Sequence, residues 1–315
     1  MIDTTGHGVV LASYGRGVLV EADEAPLGGA RDGHAADGAS PSGGRHLRCS
    51  LKGRKQRIVC GDRITWIYEP ANDGASVESI EPRRNLIERI DLRGRAEPVA
   101  ANIDRLAIVV APEPAADWFL VDRYWAGARL KDIASLLIVN KSDLGLDAIR
   151  EEIEIYRGLG LTCMETTLQS AAGIERLRSV WTGGVTLLVG QSGVGKSSIV
   201  NALAPEATAQ TSELTRDAEG RHTTTTARRY RLGPETAIVD APGVRDFAPP
   251  ASLVRAAERG FVEVHAQSAL CRFNDCRHME EPGCAVRTAV TSGQIAPRRY
   301  ESYRRLFRLY EKLNP

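Results

Sequence analysis

The sequence predicts a multidomain α/β chain: an N-terminal β-barrel, a nucleotide-binding domain on a mostly parallel sheet, and a C-terminal helical metal-binding module. Three observations carry this. Gly190-Gln191-Ser192-Gly193-Val194-Gly195-Lys196-Ser197 matches the phosphate-binding pattern G-x-x-x-x-G-K-[ST], with a short apolar strand before it and a helix start at Ser198 after it. From Arg83 to Asp240, apolar strand runs alternate with helical spacing, which implies parallel strands covered on both faces. Four Cys and His residues crowd into Cys271–Cys284.

In chain order, the first eighty residues read as β. Val9–Tyr14 and Val18–Ala22 flank Gly15-Arg16-Gly17 as a hairpin. Residues 23–44, rich in Gly, Ala, Asp and Ser, are expected to form a flexible loop. Arg45, Arg48, Lys52, Arg54, Lys55 and Arg57 place six cations and no acid in thirteen residues. Ile58–Asp62, Arg63–Tyr68 and Ser76–Ile80 read as further strands. Short strands with basic connections fit an OB-type barrel whose face binds RNA; a solvated loop between ordinary strands is the competing reading of the basic stretch.

Beyond Arg83, strands are expected at Leu106–Ala111, Ala134–Val139, 185–189 and Ala237–Asp240, and helices at Trp118–Leu130 and Asp147–Leu159. Pro249-Pro250 ends the sheet pattern. A helix over Ser252–Gly260 with Ser252 as N-cap and an amphipathic helix over Arg298–Leu313 follow. From Val286 to Pro315 there are seven Arg and Lys against two Glu. The implied domains are 1–82, 83–248 and 249–315.

The whole-chain net charge of +1 says little about partners. No apolar run reaches transmembrane length and the N-terminus lacks a signal-peptide apolar stretch, so a soluble, cytoplasmic chain with no membrane partner is expected. In that setting clustered cysteines favour metal over disulfides.

In the phosphate loop, backbone N–H groups would surround phosphate oxygens, Lys196 would bridge the β- and γ-phosphates, and Ser197 would hold Mg²⁺. Asn140-Lys141-Ser142-Asp143 ends a strand and matches N-K-x-D. The Asp143 carboxylate can accept from guanine N1–H and N2–H₂ together, and adenine has neither donor there. Asn140 would brace the loop and Lys141 cover the base. Asp240-Ala241-Pro242-Gly243 matches D-x-x-G: Asp240 would hold Mg²⁺ through water and the Gly243 N–H would face the γ-phosphate. Val244 follows, where many GTPases carry a water-orienting Gln. Arg221-His222-Thr223-Thr224-Thr225-Thr226 lies where the first switch loop belongs. One threonine would complete the Mg²⁺ shell. Four in a row leave the register open, with Thr224 favoured. His222 could supply the water-handling group that Val244 cannot; a surface histidine in a mobile loop is the competing reading. N-K-x-D precedes the phosphate loop, a circular permutation of the usual order. Cys271, Cys276, His278 and Cys284 make a closed Cys₃His set, the composition of a structural Zn²⁺ site, one ion per chain.

Taken together, the chain resembles the circularly permuted, ribosome small-subunit-dependent GTPase A family of bacteria. The resemblance runs through Val59-Cys60-Gly61-Asp62-Arg63, the four nucleotide motifs in permuted order, and the Cys₃His set. It implies GTP hydrolysis to GDP and phosphate, stimulated by the small (30S) subunit to which the protein binds late in its assembly, and a catalytic role for His222. Contact with 16S rRNA and a monomeric chain are expected as well. By the family's spacing, Thr167-Leu168 stands where a guanine-supporting Ser-Ala is usual, while Ser170-Ala171 is out of register. A GTPase acting on tRNA or another structured RNA, and an RNA-binding protein with a vestigial pocket, are the alternatives.

Overall fold

A computed structural model describes residues 4–14, 17–24, 45–51, 57–69, 74–90, 95–205, 208, 227–241 and 257–313. Strands β1 (Thr4–Tyr14), β2 (Gly17–Ala22), β3 (Arg45–Leu51), β4 (Arg63–Glu69) and β5 (Gly74–Ile80) close into a five-stranded barrel in the order β1-β2-β3-β5-β4 and back to β1. The long first strand makes closure possible. Its first half pairs with β4, Thr4 opposite Tyr68 and Val9 opposite Arg63. Its second half pairs with β2, and a bulge between Val10 and Ala12 bends it from one neighbour toward the other. Val10, Val18, Val20, Ile64 and Trp66 fill the interior.

Ile58–Asp62 is not the strand expected. It is a turn that carries an isolated bridge from Cys60 to Ala100 and exchanges backbone hydrogen bonds with Val10 of β1. Asp62 explains the difference. Its carboxylate is fully buried and accepts from Val59 N (2.8 Å) and from Arg83 Nε (2.7 Å) and Nη2 (2.8 Å). Gly61 sits at φ +87, and a Cβ there would collide with the Ala101 carbonyl. Ala101 N and Asn102 Nδ2 both donate into this turn. The Val59–Arg63 motif therefore ties the barrel to the segment that follows it.

That segment also departs from the expected helix–strand alternation. β6 (Leu86–Ile90) and β7 (Ala96–Ala101) form a separate two-stranded antiparallel ribbon. Ile87 and Ala100 bury themselves with Ile103, Leu106 and Tyr124.

The central sheet then builds from β8 (Arg105–Val110), α1 (Trp118–Leu130), β9 (Ala134–Val139), α2 (Arg150–Gly158), β10 (Thr162–Glu165), α3 (Ala171–Val180), β11 (Gly184–Gly190), α4 (Lys196–Leu203), β12 (Arg228–Gly233) and β13 (Thr236–Asp240), with β10, α3 and β12 added to the elements the sequence pattern leads one to expect. Its order is β10-β9-β8-β11-β13-β12, parallel except for β12. Alternation along each strand feeds two cores. Leu106, Ile108 and Val110 face α1 and α2, while Ala107 and Val109 face α3 and α4. β12 also touches the barrel: Ala12 pairs with Arg228, and the buried Glu21 accepts from Arg229 (3.1 Å) and Arg231 (2.8 Å).

The C-terminal module comprises α5 (Ala257–Gly260), α6 (Val262–Ser268), the Cys/His loop, α7 (Ala285–Thr291) and α8 (Pro297–Leu313). α8 buries Tyr303, Leu306, Phe307 and Tyr310 against Phe261, Val264 and Val286, the stripe its spacing foretold. The expected N-cap Ser252 lies outside the described residues, as do residues 25–44 of the expected flexible loop. Among the described residues, no helix is long and apolar enough to cross a membrane.

Candidate nucleotide site and metal cage

In a parallel sheet, ligands gather at the carboxyl ends of the strands. The fold delivers the motifs there from distant points in the sequence: Asn140 after β9, Thr166 after β10, the phosphate loop after β11 and Asp240 at the end of β13. The sheet thus accommodates the permuted order without displacing any of them.

Three glycines let the phosphate loop turn: Gly190 (φ +145), Gly193 (φ +84) and Gly195 (φ +97). A Cβ on Gly190 would strike the Val109 carbonyl, and one on Gly195 would strike Asn140 Nδ2. Ser192 is exposed at the rim, Val194 packs into the core below, and Ser198 stands exposed in the first turn of α4. Lys196 Nζ donates to the carbonyls of Gly190 and Gln191, both at 2.8 Å, so its ammonium is curled over the cradle. Gln191 Oε1 accepts from Asp117 N at 3.2 Å, linking the loop to the start of α1.

The N-K-x-D residues are fastened to that loop. Asn140 Nδ2 donates to Val194 O (2.9 Å), and Lys141 Nζ donates to Gly193 O (2.7 Å) and Glu113 O (2.9 Å). Lys141 has φ +58, a left-handed conformation uncommon for a side-chain-bearing residue, which these two bonds help to hold. Asn140 is buried, and its Oδ1 has no hydrogen-bond partner among the described residues. Asp143 accepts from the Thr167 hydroxyl, which also accepts from Gln169 N at 3.1 Å. Ser170, three residues on, caps α3 instead, through Gly173 N at 3.1 Å. Thr167 is thus the member of the 167–171 stretch that touches the Asp143 carboxylate, a pairing that spacing alone left open.

Ser197 Oγ donates to Asp240 Oδ2 at 3.4 Å. Burial raises the Asp240 carboxyl above its usual range, while the Lys196 ammonium, the Ser197 hydroxyl and Arg228 act in the opposite direction. A hydroxyl–carboxylate pair beside a phosphate cradle, with Ser197 exposed and Asp240 half-buried, is a donor set that suits Mg²⁺, whose charge would favour the ionised carboxylate. His222, Thr224, Gly243 and Val244 lie outside the described residues.

The six basic residues of the barrel are divided. Arg45 opens β3, Arg48 is half-buried along it, and Arg57 is exposed with Glu97 at 3.7 Å, a surface pair of little weight. Lys52, Arg54 and Lys55 lie outside the described residues.

At the other end, Cys271, Cys276, His278 and Cys284 bring their ligand atoms within 4.8 Å of one another, a cage that could hold a metal ion. His278 has φ +61 and is buried; Tyr300 Oη donates to its carbonyl at 2.5 Å, and Tyr303 Oη to that of Arg277 at 3.0 Å. The ring turns Nδ1 toward Cys271 Sγ (3.5 Å) and Cys284 Sγ (3.6 Å), and Nε2 toward Glu258 Oε2 at 3.2 Å. A carboxylate on the far nitrogen fixes which nitrogen faces the cage. Glu258 carries no sequence signal for this task, because it stands twenty residues away on α5.

A family model described as RsgA GTPase matches residues 80–249. The small ribosomal subunit biogenesis GTPase RsgA of Azotobacter vinelandii is 38% identical over 310 residues, covering 95% of this chain and 84% of that protein. The protein of the same name from Sodalis glossinidius is 35% identical over 310 residues, covering 93% and 89%. Among solved structures, YjeQ from Thermotoga maritima superimposes with a TM-score of 0.67 at 27% identity over 99% of both chains. YloQ, described as a circularly permuted GTPase, matches in fold with a TM-score of 0.67 at 22% identity over 99% of this chain and 96% of its own.

Proposed function

Because the chain belongs to the RsgA GTPase family, we propose that it hydrolyses GTP to GDP and phosphate in late maturation of the small (30S) ribosomal subunit, which stimulates the reaction. The observation that carries this reading is the lock between N-K-x-D and the phosphate loop, through Asn140 to Val194 O and Lys141 to Gly193 O. Base reader and phosphate cradle then move as one unit, so guanine recognition sets where the γ-phosphate sits.

In this reading the backbone N–H groups of Gly190–Ser198 hold the phosphates and Lys196 leaves its carbonyl partners to bridge the β- and γ-oxygens. Ser197, Asp240 and Thr224 would hold Mg²⁺, which supplies charge neutralisation at those oxygens. The Gly243 N–H would face the γ-phosphate and His222 would position the attacking water. Residues 1–82 act as an RNA-binding barrel, 83–248 as the permuted GTPase domain and 249–315 as the zinc module. Arg45, Arg48, Lys52, Arg54, Lys55 and Arg57, with the basic face of α8, contact 16S rRNA phosphates. The protein works in the cytoplasm, as a monomer.

For the cage we infer Zn²⁺, one per chain. With Zn–S of about 2.3 Å and Zn–N of about 2.0 Å, a tetrahedron has edges of roughly 3.5–3.8 Å. Three of the six separations are 3.5, 3.6 and 3.9 Å, the last between Cys271 and Cys284, and all six fall within 4.8 Å. Four ligands fill the coordination shell, so the ion would hold the loop and take no part in hydrolysis.

Asp143→Asn tests the base assignment. The new amide opposes guanine N1–H with a donor but suits the C2 oxygen of xanthine. GTP affinity should fall roughly 10- to 100-fold while xanthosine triphosphate binds better than to wild type. Unchanged GTP affinity in a binding titration would remove Asp143 from the site.

A further inference from the structure

Three large apolar side chains are strongly exposed among the described residues, and two of them share one turn of the metal loop: Leu270 at 70% and Phe273 at 40%. Phe273 lies between the ligands Cys271 and Cys276. Its carbonyl accepts from Cys276 N at 3.2 Å, and Arg272 N reaches back to Gly283 O at 3.4 Å. The ring is therefore held outward on a short, clamped backbone. The Arg272 guanidinium lies 5.4 Å from its centroid, a cation–aromatic stack in the open.

The size of this patch bears on what covers it. A stable protein interface buries on the order of 1,000 Å² or more, far beyond two side chains, whereas a nucleobase needs a single ring face. The charge balance points the same way. Asp275 shares the turn, and Arg277 is paired with Glu311 at 3.1 Å, so the turn offers a phosphate little net attraction. What it presents is an aromatic face with an adjoining guanidinium plane, the surface on which unstacked bases settle.

We propose that Phe273 and Arg272 form a stacking platform for an unpaired base of small-subunit RNA. This rests on the function proposed above, and it assigns to the metal loop a contact with bases, distinct from the phosphate contacts of the barrel and of α8.

The test uses the full-length, zinc-loaded protein titrated with purified small ribosomal subunits over a range of salt. Phe273→Ala should bind about tenfold more weakly with an unchanged salt slope, because no phosphate contact is lost. Phe273→Trp and Phe273→Tyr should restore binding, whereas Phe273→Leu, which keeps the apolar bulk without the ring, should not. Zinc content, melting temperature and GTP affinity should match wild type in all four. Wild-type affinity in Phe273→Ala would overturn the proposal. So would full binding by Phe273→Leu, which would mark a protein pocket, a salt slope reduced by about one unit, which would mark a phosphate, or loss of zinc, which would mark a structural ring. Failure of wild type itself to bind subunits would instead overturn the functional reading, and this proposal with it.

Discussion

Replacing Arg299 with alanine should destabilise the C-terminal module by about 3–5 kcal/mol, the cost of leaving buried charges without their partner. Arg299 is 1% exposed. Its Nε and Nη2 hold Glu263 at 2.7 and 2.9 Å, and its Nη1 holds Asp122 at 2.6 Å. The guanidinium plane lies among the rings of Phe261 (4.8 Å), Trp125 (5.0 Å) and Tyr156 (5.5 Å). Burial opposes its charge, but Asp122, Glu263 and Tyr156 hold it firmly protonated. Asp122 belongs to α1 of the GTPase domain and Glu263 to α6, so one side chain joins two domains across 177 residues of sequence. Arg298 shares Asp122 at 2.6 Å and grips Glu152 of α2, yet it cannot reach both carboxylates that Arg299 would abandon. Lysine should not rescue the site, because a point charge cannot serve Glu263 through two parallel bonds and also reach Asp122. Urea unfolding combined with proteolysis of 257–313 measures the effect. Stability within about 1 kcal/mol of wild type would mean the network contributes no cohesion between the domains.

The second large effect belongs to His222. Hydrolysis needs a group to orient the attacking water, and Val244 cannot supply one. His222 adjoins the threonines that would complete the Mg²⁺ shell and is the nearest polar candidate in sequence. His222→Ala should bind GTP and small subunits as wild type does, yet lose ~10²-fold or more of the subunit-stimulated rate, the range of a positioned acid–base group. Remaining GTP-bound, it should also leave the subunit more slowly. Lys196→Ala should differ, because its ammonium belongs to the cradle and its loss removes nucleotide binding as well. Full stimulated turnover in His222→Ala would pass the role to backbone groups or to rRNA.

The motifs were legible because each depends on local spacing: glycines where the backbone must turn, a carboxylate three residues after an asparagine, thiols a few residues apart. The central strands were legible because burial on both faces makes them continuous apolar runs, as in Leu106–Val110. What escaped depends on partners far away in sequence. Ile58–Asp62 has the composition of a strand, but the buried Asp62–Arg83 pair folds it into a turn. β12 lacks an apolar strand signal because Arg228, Arg229 and Arg231 make it polar, and the carboxylate that receives Arg229 and Arg231 is Glu21 of the distant barrel. α3 is opened by Ala171, Ala172 and Gly173, with no apolar stripe until Ile174 and Leu177, and its start is set by the Ser170 cap. Neither Glu258 behind His278 nor the Asp122–Arg299–Glu263 network obeys any spacing rule, since tertiary packing alone brings them together.

A GTPase switched on by the small ribosomal subunit is recognised by its rate of GTP hydrolysis with and without purified subunits. The basal rate should be low, and subunits should raise it by roughly 10²-fold or more, whereas free tRNA or protein-free rRNA should not. An equal rate with and without subunits, or full stimulation by free RNA alone, would contradict the proposed function.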